Sequence, residues 1–131
     1  MDLIIGGAYN GKTTYALKTY NLTLNDLING EECNKDTLFN KKGIYNLHML
    51  IKNIIDSNNY NENFHMELLE KIIYSNMEVV ICNEVGSGII PIEKSDRQMR
   101  EYTGKLLSEL SSRCEKVIRI YYGIPSIIKE S

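Results

Sequence analysis

The sequence lacks most features that would set a protein apart from ordinary single-domain globular chains. It has three cysteines, Cys33, Cys82 and Cys114, and no C-x-x-C pair. An odd, scattered set suggests neither a disulfide framework nor a zinc site, and reduced thiols are expected. Long apolar runs are missing too. Leu3-Ile4-Ile5 stops at Gly6 and Gly7, too short for a signal h-region, and nothing approaches the ~20 apolar residues of a membrane span. A cytoplasmic protein with no membrane partner is expected. There is no basic excess: Lys+Arg is 15 against Asp+Glu 17, a formal charge of -2. That balance argues against a nucleic-acid polymer as partner, though not against a small basic site for phosphates. Internal repeats and long linkers are absent, so the 131 residues read as one domain, 1–131.

What is present is a globular composition, 43% hydrophobic and 24% charged, with apolar runs alternating between two periods. Leu3-Ile4-Ile5 fits a buried strand running into a Gly-rich turn. Thr13 to Tyr20 reads as a helix with Ala16 and Leu17 inward. Leu24 to Gly30 is ambiguous between a helical turn and a short strand. Leu47, Leu50, Ile51, Ile54 and Ile55 recur at helical spacing, as do Phe64, Leu68, Leu69, Ile72 and Ile73. The Asn-rich stretch 58–63 between them is a polar loop. Glu78 to Asn83 is a β-branched strand, broken by Glu84-Val85-Gly86-Ser87-Gly88 and a loop stiffened by Pro91. Lys94 to Arg113 is helical in pattern. Lys116 to Tyr122 reads as the last strand, closed by Gly123 and Pro125. Alternating strands and helices predict an α/β fold, a mostly parallel sheet covered on both faces.

One segment carries chemistry. Gly6-Gly7-Ala8-Tyr9-Asn10-Gly11-Lys12-Thr13 fits G-x-x-x-x-G-K-[ST], placed after a strand and opening a helix. Such a loop turns successive backbone N–H groups inward, and the helix N-terminus adds to that anion cradle. Gly6 to Thr14 are therefore the expected nucleotide-binding residues. Lys12 would meet the β- and γ-phosphates, and Thr13 would ligate Mg2+. The pattern arises by chance in roughly one such sequence in a few hundred, and its strand-then-helix setting narrows that further. Glu84, directly after an apolar strand, would reach the same sheet edge as a catalytic and metal-ordering carboxylate; the alternative is a solvated loop residue. Together these residues predict a P-loop NTPase-like three-layer sandwich.

Several segments resemble the cobinamide kinase / cobinamide-phosphate guanylyltransferase family of cobalamin biosynthesis. Asn83-Glu84-Val85-Gly86-Ser87-Gly88-Ile89-Ile90-Pro91 is similar to its N-E-V-G-x-G-I-V-P signature. The forms Gly6-Gly7-Ala8 with Gly11-Lys12, and Gly123-Ile124-Pro125 with Lys129, are also that family's. Arg97, Arg100, Glu101 and Gly104 fall where it has R-x-x-R-D-x-x-G, and Leu47 to Asn53 resembles its L-T-L-W-L-x-N helix. The likeness covers residues 1–20 and 78–129 well and is thin between them. It implies a P-loop phosphotransferase that uses ATP or GTP with Mg2+ and takes the hydroxyl of a corrinoid, cobinamide, as acceptor. It also implies a homo-oligomer, typically a trimer.

The departures shape the expectation. The family is longer by several tens of residues, and the missing part lies after Cys33. There the family carries the His that takes the nucleotidyl group. Tyr45 replaces the usual Asp before the next helix, His48 stands where Thr is usual, and Tyr122 replaces the Ser before Gly-Ile-Pro. Kinase chemistry without the guanylyltransferase half-reaction is expected. The alternative is a P-loop nucleotide-binding regulator or partner subunit that has lost catalysis. His48 reads as a helix-surface or partly buried residue, with a relocated nucleotidyl acceptor as the alternative. His65 reads as a solvated helix-start residue. Tyr9, Tyr15 and Tyr20 read as packing, with contact to a nucleotide as the alternative for Tyr9, which lies inside the loop. Arg97 and Arg100 share a helix face that meets nucleotide or acceptor, or is simply solvated.

Overall fold

The computed structural model describes residues 1–8, 10–84 and 94–130. Tyr9 of the phosphate-loop motif, and the Val85–Gly88 break with Pro91, lie outside the described residues.

The apolar runs become strands β1 (Asp2–Gly6), β4 (Val79–Asn83) and β5 (Lys116–Tyr121) at the centre of a six-stranded sheet. Its order is β2-β3-β4-β1-β5-β6, with β2 (Leu27–Asn29), β3 (Gly43–Tyr45) and β6 (Ile124–Glu130) completing it. All neighbours are parallel except β5 and β6. Side chains alternate across each strand, so two cores form. Leu3, Ile5, Val80, Cys82 and Val117 face helices α2 (Leu47–Asp56), α3 (Phe64–Tyr74) and α4 (Lys94–Arg113). Ile4, Val79, Ile81, Ile118 and Ile120 face α1 (Lys12–Thr19), through Ala16. The result is the expected three-layer, mostly parallel α/β arrangement.

Helix α2 shows why the larger core lies where it does. Leu47, Leu50, Ile51, Ile54 and Ile55 are all buried, on the one stripe that helical spacing gives them. Each such side chain contributes about 1.5–3 kcal/mol when taken fully from water. Tyr15 and Tyr20 pack, half-buried, against the α1-side core. The three cysteines are buried and unbonded to one another.

Three parts of the sequence reading are corrected. The Leu24 to Gly30 stretch is both alternatives in turn, a 3-10 turn over Leu24–Asp26 and then β2. Strand β3 was not anticipated. Nor is β5 the last strand. Tyr122 and Gly123, both at positive φ (50° and 77°), form a two-residue turn that sends the chain back antiparallel as β6. Two consecutive positive-φ residues suit the right-handed twist of a hairpin. Pro125 is tolerated because β6 is an edge strand.

Candidate functional site

The phosphate-loop segment leaves the C-terminal end of β1 at the sheet's centre. Gly6 lies between Asn83 of β4 and Ile120 of β5. A Cβ there would sit 2.5 Å from the Ile120 carbonyl oxygen, so only glycine fits. Gly11 holds φ at 84° as the residue before α1, a left-handed conformation that costs other residues energy. The first α1 bond is Tyr15 N–H to the Gly11 carbonyl, at 3.0 Å. No side chain caps the helix, and its first turn carries no acidic residue. The leading N–H groups of α1 thus remain open to an anion, with the helix dipole in its favour.

Lys12 is buried, and its Nζ donates to the Gly7 carbonyl at 2.6 Å. Burial pushes its amine below the usual lysine range. Asn10 is held from outside the loop. Its carbonyl accepts from Gly123 N–H at 2.9 Å, and its Oδ1 from Tyr122 N–H at 3.3 Å. The β5–β6 turn, which the sequence reading took as a strand end and as part of the family resemblance, is therefore a clamp on this loop.

A cavity of about 370 Å³ opens at this edge. Its walls are Ala8, Gly11, Lys12, Thr13 and Thr14, then Ile81, Cys82 and Asn83 of β4, then Asn46, His48 and Met49 at the start of α2, and Glu31. Thr13 is half-buried, and Thr14 and Ala8 are exposed. His48, expected at the helix surface or partly buried, is only 8% exposed. Its Nδ1 accepts from Asn83 N–H at 3.2 Å. Burial first, and the Lys12 charge second, push His48 down to about 4. Burial pushes the Cys82 thiol up to about 12, so it stays protonated and inert as a nucleophile. His65 is not simply solvated: it is half-buried, with Nδ1 buried and without a hydrogen-bond partner among the described residues, beside the Tyr102 ring.

Glu84 follows β4, its N–H bonded to the Gly6 carbonyl at 2.8 Å. Its carboxylate is gripped by Arg119 of β5, with Nε to Oε2 at 3.1 Å and a second bond from Nη2 to Oε1. This pair raises the Arg119 pKa. The two side chains meet across β1, the strand between them. The sequence reading missed Arg119, although it is the one charge inside the apolar run Val117 to Ile120. It also missed Glu31, the one carboxylate lining the cavity among the described residues. Arg97 is exposed and Arg100 half-buried on α4.

Among the described residues, no cluster of three or more His, Cys, Asp or Glu could cage a metal ion. The oxygen donors that line the cavity, the Thr13 hydroxyl and the Glu31 carboxylate, are of the kind that Mg2+ takes, whereas Glu84 is not among the lining residues and is held by Arg119. No described helix is long and apolar enough to cross a membrane.

In comparison with known families, residues 22–128 match the model described as Cobinamide kinase / cobinamide phosphate guanyltransferase. The match includes the middle of the chain, where the resemblance was expected to be thin, and begins after the phosphate loop. A search of curated proteins finds no match.

Proposed function

As the chain belongs to the cobinamide kinase / cobinamide phosphate guanyltransferase family, whose nucleotide-dependent enzymes modify cobinamide in cobalamin biosynthesis, we propose that it transfers the γ-phosphoryl of ATP or GTP to the cobinamide hydroxyl without guanylyltransferase activity. The observation that carries this reading is the buried Lys12, beside an uncapped helix N-terminus, in a polar cavity. Bound phosphates would take the Lys12 amine from the Gly7 carbonyl. Backbone N–H groups from Gly7 to Thr14 would cradle the remaining charge, an electrostatic arrangement sufficient for phosphoryl transfer. Thr13 and Glu84 would hold Mg2+, which neutralises charge on the phosphates when bound. Glu84 would also orient the acceptor hydroxyl, and to do so it must share its carboxylate with Arg119 or leave it. The same reading makes the protein a cytoplasmic homo-oligomer, and its mass in solution checks the assembly.

The test is incubation with cobinamide, Mg2+ and each nucleotide, read by mass spectrometry. Phosphocobinamide should form, and Lys12→Ala should abolish it and weaken nucleotide binding. Near-normal turnover in Lys12→Ala would sink the phosphate-loop reading. Nucleotide binding without phosphocobinamide would favour the regulator or partner subunit instead.

A further inference from the structure

One group in the cavity is left unused by this reaction. His48 is the second residue of α2, and its position follows from the sheet. Strand β3 pairs with β4 only as far as Ile44 with Val80, whereas β4 runs on to Asn83. Beyond Val80 the β3 side of β4 therefore has no strand partner among the described residues. The His48 ring fills that place, with Nδ1 accepting the Asn83 N–H at 3.2 Å. A ring nitrogen that accepts carries a lone pair and no proton. In the neutral imidazole the single N–H then belongs to Nε2. Among the described residues Nε2 has no hydrogen-bond partner, yet it is not one of the buried unpaired atoms. His48 itself lines the cavity together with Lys12 and Thr13.

We propose that His48 is a neutral, tautomer-fixed hydrogen-bond donor, presenting Nε2–H to a phosphoryl oxygen of the nucleoside triphosphate held by Lys12, and that it is no nucleotidyl carrier. The inference rests on the phosphate-cradle reading above. Burial and the Lys12 charge keep the ring neutral through the physiological range. A carrier nitrogen must attack phosphorus with a lone pair. Nε2 holds a proton instead, and the Nδ1 lone pair is engaged by Asn83. The structure thus assigns His48 to substrate binding rather than to covalent catalysis.

Two measurements on the full chain test this. With the imidazole nitrogens labelled by 15N and His65→Asn removing the other histidine, NMR should show the neutral Nε2–H tautomer, with its resonance moving when Mg2+-nucleotide is added. An Nδ1–H tautomer or a charged ring at neutral pH overturns the proposal. In nucleotide titrations, His48→Leu should weaken binding about ten- to hundredfold, the scale of a hydrogen bond to a charged group. His48→Gln, which keeps a donor N–H, should recover most of it. If the parent binds well and His48→Leu binds equally well, the His48 role falls while the cradle stands. If Lys12→Ala binds as tightly as the parent, the cradle falls and takes this inference with it. Because His48→Leu also strands the Asn83 N–H, the NMR result and the Gln variant decide even where Leu folds poorly.

Discussion

Glu84 and Arg119 hold each other across β1 through two hydrogen bonds, so neither charge is independent. Their side chains are about 27% and 37% exposed, and pairs open to solvent contribute only about 0–1 kcal/mol to stability. The pair therefore matters more for where it holds the carboxylate than for how firmly it holds the fold. Glu84→Gln should leave nucleotide affinity and thermal stability nearly unchanged and lower turnover by about two orders of magnitude, the scale of one positioned acid–base or electrostatic group. Turnover within a few-fold of the parent would reduce Glu84 to a partner for Arg119. At this scale the sequence was informative only where chemistry is written in consecutive residues, as in Gly11-Lys12-Thr13. Arg119 could not be paired with Glu84 from spacing, because their meeting depends on which strand lies between β4 and β5. The burial of His48 depends likewise on β3 ending before β4 does.

At the scale of elements, α4 carries a residue that works against its own helix. Gly104 lies inside this 20-residue helix, and a Cβ added there would meet no described atom within 4 Å. Glycine costs a helix interior about 0.8–1 kcal/mol relative to alanine. Gly104→Ala should therefore raise unfolding free energy by about 0.5–1 kcal/mol and Tm by a few degrees, as measured by thermal melts. An unchanged or lower Tm would mean that the position is already crowded. Kinetics separates this from function: lost turnover in a stabilised Gly104→Ala variant would place the Arg97–Arg100 region of α4 against substrate. Elements with a buried stripe were legible in the sequence, α2, α3, α4, β4 and β5 among them. Strand β3 was not, since its three residues are too few for any period to show. Strand β6 was hidden for a different reason. Ile124, Ile127 and Ile128 are exposed, so its pattern answers to an edge pairing rather than to a core.

At the scale of the whole molecule, the sheet order brings the C-terminal ends of β1 and β4 to one edge, with the starts of α1 and α2 beside them. On the proposed reading this edge holds a nucleotide, but a two-step guanylyl transfer also needs a side chain that carries GMP between steps. The connection from β2 to the parallel, adjacent β3 spans residues 30–42, and it holds only a 3-10 turn, Gly30–Glu32, with irregular chain after it. The family resemblance places the carrier histidine in this region, after Cys33, and no histidine occurs there. The two that exist are committed elsewhere: His48 to Asn83, and His65 to α3, against the Tyr102 ring. Incubation with GTP and Mg2+ should therefore leave no GMP on the protein, and with cobinamide present no GDP-cobinamide should form. Intact-protein mass spectrometry decides the first and product analysis the second. A GMP-sized increase that vanishes in His48→Gln would make His48 the carrier and overturn its assignment as a donor. An increase that survives both His48→Gln and His65→Asn would put the nucleotide on another side chain, such as a lysine, and show that the short β2–β3 connection had not cost the protein its second half-reaction.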